Sequence, residues 1–227
     1  MEITGSFPAK SIFASLDLQE IRSLEKRADV RRFQNGEWVV QNGDIWPYFF
    51  FISNGEVTAV KESYEGRSLV LTSLHAGDVF WGLAFFIQDA PMPASLRAVQ
   101  ETEILLWSRE SLLPLFQKSG LLSWELSCLV IRRVQLASEI VEKLAFQPVA
   151  GRLARMLVEF AGDTITGKSI ARNLTLDEMA ARVGTTREVV CRFLHRFSDQ
   201  GLIDITRTEF SIIDHMSLEE LAKQSKG

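Results

Sequence analysis

The apolar positions of this chain follow two regimes. As far as residue 107 they come as short β-branched or aromatic runs, at 38–40, 48–53, 56–60, 69–74, 79–81, 96–99 and 103–107. Turn signals separate them: Asn35-Gly36, Asn42-Gly43-Asp44, Asn54-Gly55, Glu65-Gly66 and Ala76-Gly77-Asp78. Closely spaced short strands of this kind predict an antiparallel roll or barrel with a small apolar interior. Ahead of them, Leu16, Ile21 and Leu24 predict a short amphipathic helix.

From residue 121 to about 146 the spacing becomes helical, with Leu126, Leu129, Val130, Leu136, Ala137, Ile140 and Leu144 along one side. Such a helix is about 39 Å long, more than one small domain needs for its own core. Its spare apolar face predicts a parallel two-helix seam between subunits, interrupted by polar Arg133. A long core helix within one subunit is the competing reading. Gln147-Pro148 ends the helix, since proline cannot continue its hydrogen bonding and suits the first turn of the next. Phe146, Gln147 and Pro148 are therefore the expected hinge. The expected domains are 1–120, a sensor; 121–147, the long helix; and 148–227, a helical domain.

Residues 174–203, LTLDEMAARVGTTREVVCRFLHRFSDQGLI, carry the most specific pattern. Leu176, Met179, Ala180 and Val183 recur at helical spacing, and small Ala180 leaves room for a second helix to cross closely. Gly184 suits the sharp turn that follows, which wants a residue tolerant of positive φ. Thr185 or Thr186 can cap the next helix, with Glu188 in its first turn, where the helix dipole favours a carboxylate. Val189, Val190, Phe193, Leu194 and Phe197 form the inward stripe, leaving Arg187, Glu188, Cys191, Arg192 and Arg196 outside. The alternative is an ordinary amphipathic helical hairpin with a solvated face. In a DNA-binding helix-turn-helix, long polar side chains at the N-terminal end of the second helix reach base edges in the major groove. An arginine takes both acceptors of a guanine and a glutamate accepts from a cytosine amine, which suits Arg187, Glu188 and Arg192.

The net charge of -4 looks wrong for a DNA binder until it is divided along the chain. Residues 149–207 hold 9 Lys and Arg against 7 Asp and Glu, whereas residues 1–148 hold 14 against 18. Binding should then be salt-sensitive through a few phosphate contacts. The 2 cysteines, Cys128 and Cys191, fall far apart in helical patterns and suggest neither a disulfide framework nor a metal site. No apolar run reaches the roughly 20 residues of a membrane span, and no signal sequence opens the chain, so the expected place is the cytoplasm. No phosphate-binding glycine loop, zinc-ligand spacing or nucleophile elbow marks an enzyme. A ligand-binding interaction protein, whose helix-turn-helix contacts another protein rather than DNA, is the alternative to a regulator.

With strands, long helix and helix-turn-helix in this order, the chain resembles the cyclic-AMP receptor protein/FNR (CRP/FNR) family of transcription regulators over nearly its whole length. The resemblance is carried by Asn54-Gly55-Glu56-Val57, Ala76-Gly77-Asp78-Val79-Phe80, Ser138-Glu139, Leu144-Ala145-Phe146, Gly151-Arg152 and Thr186-Arg187-Glu188 with Arg192. It implies an α+β fold: an N-terminal antiparallel β-roll of the cyclic-nucleotide-binding, double-stranded β-helix kind, a long dimerisation helix and a C-terminal winged helix-turn-helix. It also implies a homodimer on a palindromic operator with GTGA-like half-sites, read by Arg187, Glu188 and Arg192. Thr185, Thr186, Cys191, His195 and Arg196 complete the expected DNA face. RNA polymerase is an implied partner, through loop 61–68 with Glu62 and Glu65 or loop 161–169 with Asp163 and Lys168.

The effector site departs from the family pattern. Cyclic-nucleotide binders of the family place a Gly-Glu pair after the aspartate and an Arg-Ser pair before the next strand, to grip ribose and phosphate. Here the first stretch is Phe80-Trp81-Gly82-Leu83-Ala84-Phe85-Phe86 and the later pair is Met92-Pro93. A phosphate buried against such walls would be uncompensated, at a cost of several kcal/mol, so cyclic AMP is not the expected effector. The expected lining is Trp81, Gly82, Leu83, Phe85, Phe86 and Met92, facing Leu129, Val130 and Arg133 of the long helix. An apolar small molecule or a haem would suit it; a site filled by its own side chains is the alternative. His75, the only histidine of the sensor half, reads as a solvated turn residue. The chain lacks the cysteine cluster of an FNR iron-sulfur centre. Cys191 beside Arg192 reads as a small residue allowing close approach to DNA, with a reactive thiol as the alternative.

Overall fold

The computed structural model describes residues 7–8, 11–64, 67–162 and 167–223. The chain separates into two compact units, residues 1–61 with 71–136 and residues 62–70 with 137–227.

In the first unit a 3-10 turn, Ile12–Ser15, leads into α1 (Leu18–Lys26). Asp17 and Glu20 close a capping box at the start of α1. Leu16, predicted inside this helix, lies just before that cap and is buried in the same cluster as Ile21 and Leu24. The strands are β1 (Asp29–Phe33), β2 (Trp38–Val40), β3 (Tyr48–Asn54), β4 (Glu56–Glu62), β5 (Ser68–His75), β6 (Val79–Trp81), β7 (Ser95–Ala98) and β8 (Thr102–Ser108). A second 3-10 turn, Leu83–Phe85, follows β6; after β8 come α2 (Arg109–Lys118) and α3 (Gly120–Phe146), with residues 137–146 of α3 and the start of β5 belonging to the second unit. The strands form two sheets, ordered β1-β8-β3-β6 and β2-β7-β4-β5.

The apolar run 48–53 does not alternate with polar residues because both faces of β3 are covered. Phe50 and Ile52 point into the interior between the sheets, with Val39, Val57, Leu96, Ile104 and Leu106. Phe49 and Phe51 point the other way, onto α1, α2 and the first turns of α3. β8 repeats the arrangement, with Leu105 and Trp107 on the helix side. Phe13 packs edge-on against Trp107 at 5.5 Å, and the Trp107 indole donates to the Leu24 carbonyl at 2.8 Å.

Two elements escape the hydrophobic pattern. β1 reads Asp-Val-Arg-Arg-Phe and is exposed along most of its length, but it pairs antiparallel with β8 as an edge strand. α2 carries Pro114 in its interior and begins directly from the end of β8, where Ser108 caps it.

The second unit contains α4 (Val149–Ala161), β9 (Ile170–Ala171), α5 (Leu176–Val183), α6 (Arg187–Asp199), β10 (Ile203–Ile205), β11 (Glu209–Ile212) and α7 (His215–Lys223). Its core joins Leu153 and Leu157 of α4, Met179 and Val183 of α5, Val190, Leu194 and Phe197 of α6, and Leu218 of α7. The three strands make a small sheet, β10-β11-β9, beside the two crossing helices. This is a winged helix-turn-helix, and with the roll and the long helix it makes the predicted α+β architecture.

The apolar stripe predicted for α3 needs correction. Leu126 is buried and Leu129 half-buried against the first unit's core, and half-buried Arg133 lies on the same side. Between a quarter and half a turn round, Trp124, Ile131, Val134 and Val141 are 67%, 58%, 64% and 66% exposed. Their spacing of seven, three and seven is that of a and d positions in a two-helix seam. Of the predicted stripe, Leu126 and Leu129 therefore pack within the subunit, with Arg133 beside them, whereas Val130, Leu136 and Ala137 are exposed.

Trp107→Phe should keep the ring packing but lose the bond to Leu24 and part of the filled volume. The expected cost is about 1 to 3 kcal/mol, read as a lower denaturant midpoint by circular dichroism.

Candidate nucleic-acid interface and roll interior

α5 begins with a capping box in which the Thr175 hydroxyl accepts from the Glu178 N–H at 3.2 Å and the Glu178 carboxylate from the Thr175 N–H at 2.7 Å. The helix ends at Gly184, whose φ of 71° is the left-handed turn foreseen for it. The backbone angle calls for glycine, and the Leu144 side chain packs close above it, its Cδ2 2.7 Å from where a Cβ would stand. Thr186 occupies the N-cap of α6 but makes no side-chain bond to the helix amides. Glu188 is held below the usual carboxylate range by a hydrogen bond from its own N–H and another from the Thr186 hydroxyl.

Val190, Leu194 and Phe197 bury one side of α6, with Val189 and Phe193 half-buried beside them. The opposite side presents Arg187, Glu188, Arg192, His195 and Arg196 to solvent, with Cys191, Thr185 and Thr186 half-buried. The first turn and a half thus offers two guanidinium groups and one carboxylate. Arg187 is paired with Asp177 of α5 at 3.4 Å, an exposed contact the sequence pattern did not reveal. Arg192 lies 5.8 Å from the Phe193 ring centre. Arg196, in the last turn, instead lines a cavity of about 450 Å³ with Pro148, Phe197, Gln200 and Glu220.

In the first unit, Gly82 opens the 3-10 turn after β6. A Cβ at this position would collide with the Trp46 carbonyl oxygen, so Gly82 cannot carry a side chain without moving that backbone. Met92 and Trp46 are buried between the sheets, and the Trp46 indole N–H has no hydrogen-bond partner. Arg133 reaches from α3 to β6: its guanidinium lies 4.8 Å from the Phe80 ring centre and 5.7 Å from that of Trp81, and donates to the Val79 carbonyl at 2.9 Å. Burial lowers its pKa, while the Asp78 carboxylate acts in the opposite direction.

Residues 30–119 match the model of the cyclic nucleotide-binding domain, and residues 151–221 that of the Crp-like helix-turn-helix domain. The cAMP-activated global transcriptional regulator CRP of Escherichia coli is 30% identical over 77% of this chain and 84% of its own. The chain belongs to the CRP/FNR family of transcriptional regulators. The cyclic AMP receptor protein of Thermus thermophilus is 27% identical over 93% of this chain and 96% of its own. Among solved structures, the c-di-GMP-responsive regulator CLP of Xanthomonas campestris superposes with a TM-score of 0.76 at 22% identity, covering 86% of this chain and 99% of that one. A crp/fnr-family regulator from Eubacterium rectale also gives 0.76, at 21% identity over 96% and 99%. Like its CRP relatives, the chain is a DNA-binding transcriptional regulator. Among the described residues no helix is long and apolar enough to cross a membrane.

Within this CRP/FNR frame, the residues predicted to line one effector pocket are divided. Trp81, Phe85 and Leu129 belong to the helix-side core, whereas Met92 belongs to the interior between the sheets. Phe86 and Val130 are exposed, and Leu83 is half-buried. Period-two alternation along β6 is the cause: Val79 and Trp81 face the helices, so Phe80 is the aromatic on Met92's side of the sheet. Phe80 and Trp46 are the interior residues that the sequence reading missed. His75 is exposed, 3.7 Å from Glu56, as expected, but it is the last residue of β5 and the turn begins after it. At the predicted hinge Phe146 is exposed, Gln147 is half-buried and Pro148 is the N-cap of α4. Glu65 and Asp163, named for polymerase contacts, lie outside the described residues; Glu62 and Lys168 are exposed.

Asp177→Ala should release Arg187 and remove a negative charge beside the exposed face of α6. Exposed pairs contribute about 0.2 to 1 kcal/mol, so affinity for random duplex should rise by up to about fivefold while discrimination among operators falls. Competition binding against random DNA measures both.

Proposed function

We propose that the protein is a homodimeric, sequence-specific regulator that binds a palindromic operator through Arg187, Glu188 and Arg192. The observation carrying this reading is the exposure of these three side chains on the opening turns of α6, whose other side is buried in the core. The two arginines can each grip the O6 and N7 acceptors of a guanine, and Glu188, ionised at neutral pH, can accept from a cytosine amine. That donor and acceptor set suits a GTGA-like half-site. Thr185, Thr186, His195 and Arg196 are suited to phosphates, which fix register without reading sequence. Two heads related by symmetry would meet half-sites about 34 Å apart.

In this reading residues 1–120 are the sensor, 121–147 the dimerisation helix and 148–227 the DNA-binding domain. The exposed Trp124, Ile131, Val134 and Val141 face of α3 supports the dimer, because a pair of such helices would bury it along a common seam. RNA polymerase contacts through the loops carrying Glu62 and Lys168 belong to the same reading.

The relatives named above as cAMP-activated make cyclic AMP the obvious effector, but the residues here do not suit it. The position of the family's carboxylate is Gly82, closed off by the Trp46 backbone, and Met92-Pro93 stands where an Arg-Ser pair would grip phosphate. The interior, lined by Phe50, Leu96, Met92 and Phe80, suits an apolar ligand or its own packed side chains. Haem is not favoured, since His75 points to solvent and the other histidines, His195 and His215, lie in the second unit.

Selection of bound duplexes from random DNA should return inverted GTGA-like repeats; recovery of no common sequence would overturn the reading. Arg192→Ala should cost about 1 to 3 kcal/mol at one base pair and relax discrimination there, whereas equal weakening on every duplex would make Arg192 a phosphate contact. Val134→Glu should place two carboxylates across the seam and yield monomers by sedimentation, with Arg133→Ala remaining dimeric. Operator affinity should be unchanged by added cyclic AMP, and an absorption spectrum without a Soret band should accompany the purified protein.

A further inference from the structure

We infer that Arg152 is a latch that fixes the angle between the last turn of α3 and the helix-turn-helix, and thereby the half-site spacing the dimer accepts. This rests on the palindromic reading above.

Only Gln147 and Pro148 separate α3 from α4, and such a junction looks like a free swivel. The terminal carbonyls of a helix have no partner within it and are open to an outside donor. Arg152, in the first turn of α4, reaches back across the junction to those of two helices at once. Its Nε donates to the Val183 carbonyl at 2.7 Å, in the last residue of α5, and one terminal nitrogen donates to the Gln147 carbonyl at 2.6 Å. Longer contacts of 3.5 Å run to Lys143 near the end of α3 and to Gly184 in the recognition turn.

The ends of α3 and α5 thus share one planar cation, whose fork of donors holds a direction as well as a distance. A cation at two helix C-termini also meets the negative ends of both macrodipoles. Leu144 reinforces the joint by packing directly over Gly184, where a Cβ would stand only 2.7 Å from it. The two-residue break is therefore pinned. While Arg152 stays in place, any pivot that reorients the recognition helix against the dimer seam must lie before Lys143. Releasing Arg152 would let each head turn about Gln147 and Pro148, so that the separation of the two reading surfaces would no longer be single-valued.

The test uses the full-length chain, wild type and with Arg152→Ala or Arg152→Lys, on the duplex obtained by selection. Each protein is titrated against the palindrome, against versions with the central spacer changed by one or two base pairs, and against a duplex holding one half-site. Wild type should prefer one spacing sharply. Arg152→Ala should bind the single half-site within about twofold of wild type, bind the palindrome at least tenfold more weakly, and lose most of the spacing preference. Arg152→Lys keeps the charge without the fork and should fall between them.

A variant that keeps the sharp spacing preference would overturn the latch. Equal weakening on half-site and palindrome would also overturn it, because the arginine would then only support the fold of the head. If wild type itself selects no palindrome, the failure lies in the dimeric reading and not in Arg152.

Discussion

Phe49 and Phe51 face the helices while Phe50 and Ile52 face the space between the sheets, so a single strand supplies the cores of both layers. Burying a large apolar side chain stabilises by about 1.5 to 3 kcal/mol, and β3 places four of them in seven residues. A strand filled on both sides can neither slide nor rotate without exposing one set, which fixes its register with β6 and β8. Through β6 it also fixes Phe80 and Trp81, the aromatic shelf on which the Arg133 guanidinium rests. The attachment of α3 to the roll therefore traces back to the alternation along β3.

In the second unit the corresponding constraint is the turn at Gly184. Its left-handed backbone, the close approach of Leu144 and the carbonyls gripped by Arg152 all meet within a few residues of α6. The side chains proposed to face DNA are exposed and weakly restrained; their aim comes from the buried stripe of α6 and from this turn. A DNA-binding CRP/FNR head needs that combination, because base edges discriminate only when side chains arrive at a set angle.

Much of this was legible in the sequence. Dense turn dipeptides and β-branched runs identify the roll, and Gly184 with the stripe from Val190 to Phe197 identifies the helix-turn-helix, because in both cases burial follows a simple period. β1 was hidden because an edge strand of charged residues has no apolar period to detect, and α2 because it starts without a loop and contains Pro114. The predicted stripe of α3 was divided for a related reason. Leu126 and Leu129 pack within the subunit, while Trp124, Ile131, Val134 and Val141 lie across the helix, and periodicity alone does not say which face has a partner. The effector lining was divided because residues 80–86 begin in a strand whose side chains alternate. Asp177 and Arg152 act through contacts between separate elements, which no hydrophobic period announces.

All four oxygens around Arg152 are neutral backbone carbonyls. An electrolyte competes for phosphates by restoring their ion atmosphere, but it has little purchase on a half-buried cation lodged against peptide dipoles. Concentrated salt should therefore strip the molecule from nucleic acid while leaving the internal geometry of each head as it was, so that dilution returns heads already set to engage.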